Sequence, residues 1–357
     1  MQCRAYGRTI GLPLVLPERY IGSMEHMERP GFKKGLHDLS NGCWAYLQPD
    51  GGWGYSNAGL IVDCEDTLLI DTLFDLPLTA EMLSQMRDSV PGATDISTLV
   101  NTHANGDHTY GNQLVKEAQI IASRACKEEM ERRPPEVFLK FVKNWRDYGE
   151  SGALIWELMG RKFDFSGIVN TLPTEPFETE YHLTVGYKQV DLYNVGPAHT
   201  NGDVLVHVPG DRTVFTGDIM FVEGHPIIWA GPVENWIATC DRILSWDVEI
   251  IVPGHGPICD KTAVRELKLY LTTLRDAAKV RYDAGLHWTA AAEEIVIDLF
   301  PHWIDRERVF INTATLYRHF SKGKYRPNVT EIYEPMAAWY WAHSGHTHPC
   351  ATSSPSD

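Results

Sequence analysis

Four polar, glycine-flanked turns, each placed directly after a short apolar strand pattern, constrain this chain more than anything else in it. Residues 96–100 run into Thr102-His103-Ala104-Asn105-Gly106-Asp107-His108. Residues 190–195 run into Gly196-Pro197-Ala198-His199, residues 213–216 into Gly217-Asp218, and residues 249–252 into Pro253-Gly254-His255-Gly256. Imidazoles and carboxylates delivered by strand ends to one edge of a sheet are the donor set of a divalent metal site. A single histidine after a strand is ordinarily a surface or capping residue. Four such segments in one chain, with three donors in one short loop, point to metal.

These residues resemble the metallo-β-lactamase superfamily, whose signature is His-x-His-x-Asp-His followed by a His, a bridging Asp and a last His. His103, Asp107, His108, His199, Asp218 and His255 match it position by position. Leu68-Leu69-Ile70-Asp71-Thr72 resembles the strand whose aspartate supports the metal loop. His199 to Asp203 and Pro253 to Pro257 resemble the family's later turns. The resemblance spans roughly residues 36 to 265. It implies one metal held by His103 and His199, a second held by Asp107, His108 and His255, and Asp218 bridging the two.

One position departs from the signature, which has Asn105 where the family has its second histidine. An amide oxygen is a weak, neutral, hard donor, whereas zinc favours nitrogen or sulfur. Asn105 is therefore expected to be a weak ligand or none. The substitution favours single occupancy or a harder metal, or frees Asn105 for a hydrogen bond to substrate or water. The cofactor expected is Zn2+, one or two ions, with iron or manganese as alternatives.

Composition narrows the partners. The net charge of −15 and the lack of a basic patch argue against nucleic acid, which demands clustered Lys and Arg. No apolar run approaches the length of a membrane helix. Arg4 and Arg8 flank no long apolar stretch, so no leader is expected. The seven cysteines form no Cys-x-x-Cys pair, which reads as free thiols in a cytoplasmic protein.

The pattern along the chain predicts an α/β protein with an αββα sandwich. Residues 1–35 read as an N-terminal arm and 36–265 as the metallo-β-lactamase-like domain. Within that domain, 124–165 read as a helical insert rich in bulky apolar groups. Residues 266–342 read as a C-terminal helical extension and 343–357 as a polar tail, its three histidines disordered. Helices are expected at 78–90, 233–245, 261–284, 289–300 and 305–320.

A metal lowers the pKa of its bound water from roughly 15.7 to about 7. The function expected is a metallo-hydrolase that uses a metal-bound hydroxide on a small, apolar or aromatic molecule. The bond is an ester, lactone, thioester or amide, and hydrolytic dehalogenation of an activated ring is kept open. Asp107 and Asp218 are the candidate catalytic carboxylates, the first accepting a proton and the second orienting the nucleophile. Asp71 is expected behind a ligand imidazole, fixing its tautomer. Tyr110, Phe221, His225 and Trp229 are the candidate pocket residues. Two other functions stand beside this one: an iron-dependent redox enzyme on the same fold, and a metal-poor binding protein.

Overall fold

The computed structural model describes residues 32–349. Residues 1–31 of the arm expected at 1–35 and the last residues of the tail, 350–357, lie outside the described residues, and the first strand already begins at Gly35. Among the described residues there are two sheets and ten α-helices. The first sheet runs in the order β1 (Gly35–Asp38), β2 (Cys43–Leu47), β3 (Ala58–Asp63), β4 (Asp66–Ile70), β5 (Thr98–Val100), β6 (Gln119–Ser123) and β7 (Glu175–Phe177). Its first four strands are an antiparallel meander, and β4 to β7 are parallel. The second sheet contains β8 (Glu180–Val185), β9 (Lys188–Asn194), β10 (Val204–Val208), β11 (Thr213–Phe215) and β12 (Ile250–Val252), with β12 at one edge, parallel to β11.

Alternation of side chains across each strand builds the layers. Ile61, Leu68 and Ile70 of the first sheet meet Val190, Val204, Val206 and Phe215 of the second in a core between the sheets. Leu60 and Leu69, pointing the other way, pack on Met82, Leu83 and Met86 of α1 (Leu76–Ser89). On the far side, Leu205, Val214 and Ile251 pack against α6 (Val233–Ser245) and α7 (Lys261–Asp283). Helix, sheet, sheet, helix is the αββα sandwich the sequence predicts.

Helix ends follow local chemistry. The Asp75 carboxylate accepts from Leu78 N at 2.8 Å and starts α1. Ser123 caps α3 (Arg124–Arg132), and Asp260 caps α7. The stretch read as an insert contains α3, α4 (Pro135–Lys143) and α5 (Gly149–Ile155), with a wide final turn at Trp156–Gly160. Residues 161–165 are not helical, so the helical stretch is shorter than expected. The remaining helices are the short α2 (Gly106–Thr109) in the metal loop, then α8 (Trp288–Asp298), α9 (Arg308–Phe320) and α10 (Val329–His343).

Two departures concern the C-terminus. Helix α10 contains Pro335, which hides it from a periodicity reading. Its start was legible as a capping box, with Asn328 and Glu331 each bonding the other's backbone N–H. The tail histidines are engaged. His346 pairs with Glu157 at 3.2 Å and His348 with Glu150 at 2.9 Å, both carboxylates on the helical stretch 149–160. Among the described residues, no helix is long and apolar enough to cross a membrane.

Candidate metal centre

Strands β4, β5, β11 and β12 and the turn after β9 bring their C-terminal ends to one edge of the sandwich. Asp71 follows β4, His103 follows β5, Asp218 follows β11 and His255 follows β12. His199 lies five residues beyond β9. The donor atoms fall in two groups, His103 with His199 and Asp218, and Asp107 with His108 and His255, each within 4.8 Å across. Asp218 touches both. Its Oδ1 lies 3.0 Å from His108 Nε2, and its Oδ2 lies 3.2 Å from His199 Nε2 and 3.4 Å from His255 Nε2. His103 Nε2 is 3.7 Å from the same Oδ2.

The imidazoles are oriented alike. His103 Nδ1–H donates to Thr102 Oγ1 at 3.0 Å, and His108 Nδ1–H to Asp71 Oδ2 at 2.9 Å. His199 Nδ1–H donates to the Ile227 carbonyl at 2.7 Å, and His255 Nδ1–H to the Gly51 carbonyl at 3.1 Å. Every ring thus spends its proton outward and turns the Nε2 lone pair to the centre, the tautomer a metal ligand needs. His103 Nε2, His108 Nε2 and Asp218 Oδ1 are buried with no hydrogen-bond partner. Such orphans are costly unless a cation takes their lone pairs. A tetrahedral cation with bonds of roughly 2.0 Å sets its donors about 3.3 Å apart, close to the spacings around Asp218. The residues fit a divalent metal.

Burial alone would push the Asp218 carboxyl up, but positive charge on the imidazoles of His255, His108, His103 and His199 outweighs it and holds the group well below the usual range. Against burial, the carboxylates in turn raise His108 well above its usual range and His255 to about 9, so a metal cation here would take the place of protons on those rings. Asp71 fixes the loop behind His108. Its Oδ1 accepts from Thr102 N and its Oδ2 from Thr102 Oγ1, both at 2.7 Å. Asp107, 13 % exposed, is the most open donor, against 5 % or less for the four imidazoles and Asp218. The most exposed side of the cluster is therefore that of Asn105 and Asp107, which are half-buried.

The family model of the metallo-beta-lactamase superfamily matches residues 51–255, more than half of the chain. The chain belongs to this superfamily. A probable metallo-hydrolase of Methanocaldococcus jannaschii is 25% identical over 229 residues, which are 62% of this chain and 97% of that protein. A linear primary-alkylsulfatase of a Pseudomonas species is 22% identical over 181 residues, and the alpha subunit of a 2,4-dinitroanisole O-demethylase of a Nocardioides species is 23% identical over 171. The chain spans only 32% and 40% of the lengths of those two. Among solved structures, a metallo-beta-lactamase from Pontibacter korlensis superposes with a TM-score of 0.51 at 17% identity. The match covers 67% of this chain and 99% of the other, so about a third of this chain has no counterpart there. Membership supports a hydrolase-type function that depends on a divalent metal.

The structure does not treat the expected pocket residues alike. The Tyr110 ring lies against Gly106 of the metal loop and stacks near Phe74 at 5.7 Å. Phe221 spends its face on the His255 ring, parallel at 4.9 Å. Trp229 is half-buried and donates its backbone N–H to the His199 carbonyl. His225 is a correction. It is fully buried, with its ring nitrogens at the Tyr270 hydroxyl and the Phe300 carbonyl, and burial drives its pKa down to about 3. Both nitrogens are committed, one to Tyr270 on α7 and one to the bend after α8, leaving none for a substrate. Sequence reasoning also missed Thr102 and Ile227, which orient ligand rings. Thr102 was findable, since it precedes His103. The Ile227 carbonyl carries no sequence signal.

Proposed function

We propose that the protein is a metallo-hydrolase acting on a small apolar or aromatic molecule, with His103, Asp107, His108, His199, Asp218 and His255 as metal ligands. The observation that carries this reading is the convergence of four Nε2 lone pairs on the buried Asp218 carboxylate, with the half-buried Asp107 beside His108 and His255. A bound zinc ion would acidify water and polarise the scissile group. Asp218, reaching both donor groups, orients the water. Asp107, at the open side, receives the proton released as water adds to the electrophilic carbon. Asp107 then passes that proton to the leaving group as its bond to carbon breaks, so the elements of one water are divided between the two products.

The apolar substrate rests on the surroundings. Tyr110, Phe74, Phe138, Phe165, Phe163 and Tyr55 form a continuous run of ring contacts, with centroids 4.9 to 5.8 Å apart, from the metal loop into the helical insert. Its half-buried members, Tyr55, Tyr110 and Phe138, keep part of their ring surface for a substrate ring or alkyl chain, and the buried ones back them. Two relatives named for a linear alkyl sulfate and for 2,4-dinitroanisole are in keeping with it.

Metal analysis of protein purified without added metal, followed by chelation and readdition, tests the reading. One or two equivalents of zinc, with hydrolysis of aryl or alkyl esters lost on chelation and regained with zinc, is the expected result. Iron with oxygen-dependent turnover would replace it with the redox reading. Absence of metal and of hydrolysis would overturn both.

A further inference from the structure

The loop that orients His199 has no ladder of its own. Residues 225–231 contain neither helix nor strand, yet they hold this imidazole closely. The Ile227 carbonyl takes the ring proton, Trp229 and Ala230 donate to the His199 carbonyl at 3.0 and 3.1 Å, and Gly231 donates to the Ala198 carbonyl at 2.8 Å. A buried loop must find partners for its remaining backbone groups. Here side chains of α9 supply them. Asn312 Oδ1 accepts from Ile228 N at 2.7 Å, and Asn312 Nδ2 donates to the Pro226 carbonyl at 2.8 Å, so one amide brackets Ile227 from both sides. One turn earlier on the helix, Arg308 Nη1 donates to the His225 carbonyl at 2.9 Å. Near the other end, Arg318 Nη2 donates to the carbonyls of Trp229 and Ala230.

The same helix reaches toward a second candidate ligand through an intervening ring. The Arg308 guanidinium, anchored on Asp305 at 2.8 Å, lies 4.5 Å over the Trp53 ring and 5.6 Å from the Phe221 ring. Phe221 in turn lies flat on His255. Asn312 is fully buried and Arg308 is 2 % exposed. Both lie beyond residue 255, where the family match ends.

We infer that α9 is a built-in clamp for the metal centre, and that Asn312 and Arg308 are positioning residues acting through Ile227 on His199 and through Phe221 on His255. This rests on the reading of the cluster as a metal site. Loss of the Asn312 amide leaves Ile228 N and the Pro226 carbonyl without partners. The loop then shifts, and the Ile227 carbonyl no longer fixes the His199 tautomer.

The test titrates Co2+ into metal-free full-length protein and follows its absorption spectrum, with thermal melting alongside. Asn312→Leu, similar in size but without hydrogen bonds, is expected to weaken Co2+ binding about tenfold or more and to alter the spectrum. Arg308→Met should do likewise, while Arg308→Lys, which keeps a donor for the His225 carbonyl, recovers most of the affinity. Val309→Ala on the same helix, buried but making none of these bonds, controls for general loosening and should leave Co2+ affinity within about twofold. If Asn312→Leu does not fold, the Arg308 pair decides. Wild-type affinity and spectrum in Asn312→Leu and Arg308→Met, or equal losses in Val309→Ala, would overturn the inference. Failure of the wild-type protein to bind Co2+ would instead overturn the metal reading beneath it.

Discussion

The Asn105 amide nitrogen lies 3.2 Å from His199 Nε2, on the one lone pair that this imidazole keeps for the centre. Because His199 Nδ1–H is already given to the Ile227 carbonyl, Nε2 accepts and Asn105 donates. The residue that departs from the family signature is therefore a competitor for a ligand atom.

That competition sets the first expected outcome. Metal at the His103, His199 and Asp218 group must displace the Asn105 hydrogen bond, so it should bind more loosely than metal at the Asp107, His108 and His255 group. In Asn105→His an imidazole replaces the amide and completes a three-histidine set. Equilibrium dialysis against zinc should show stoichiometry rising toward two in the variant. Two tightly held equivalents in both proteins would show that the amide is no obstacle.

Ligand removal is expected to act differently at the other group. His108→Ala, Asp107→Ala and His255→Ala each take a donor from a complete set, and each should abolish most hydrolysis and lower metal content. Zinc content and turnover measured together on the three variants check this. Normal metal and rate in any two would exclude that group as the catalytic one.

Asp71 reaches the metal through His108. In Asp71→Asn one acceptor oxygen survives, and whichever way the amide turns its NH2 meets a donor, His108 Nδ1–H and Thr102 Oγ1–H in one orientation and the Thr102 N–H in the other. The αL backbone at Asp71, with φ of 60°, suits asparagine, so the fold should persist. Metal affinity should fall roughly 10- to 100-fold, as for other partners of ligand imidazoles. A competition titration with a chelator reads it, and unchanged affinity would mean that His108 does not depend on this carboxylate.

How far the sequence reveals the site depends on distance along the chain. The candidate donor set is legible because each donor follows a strand end by a short turn, and strand ends are written in local alternation. Asp71 is legible for the same reason. His225 misleads because it follows Asp218 closely, and nothing nearby says that its partners are Tyr270 and Phe300, 45 and 75 residues away. The bond from Ile228 to Asn312 crosses 84 residues, and a buried asparagine in a helix has no local mark that separates a clamp from a surface position. The sandwich itself is readable from period-two strands, whereas the docking of α9 and α10 depends on side chains that meet only once the chain has folded.

The last expectation concerns Glu307, at the start of α9. It is buried and accepts from Trp53 Nε1 at 2.6 Å. Around it stand Asp305 and Arg308 on its own segment and Tyr340 on α10. Burial, with Asp305 adding to it, raises the Glu307 pKa to about 7, against the opposing pull of Trp53 and Arg308. The unfolded chain loses this proton near 4.5. Between 4.5 and 7 the native state therefore holds a proton that the unfolded state lacks. Stability should fall with rising pH by at most about 1.4 kcal/mol per unit across that window, and level off above it. Glu307→Gln keeps an acceptor for Trp53 and removes the titration. Urea unfolding of both metal-free proteins from pH 5 to 8 should show a gap that opens in favour of the variant up to about pH 7 and then stays constant. A gap that does not change with pH would place the ionised carboxylate in the native state throughout, and Arg308 would then be its compensating charge.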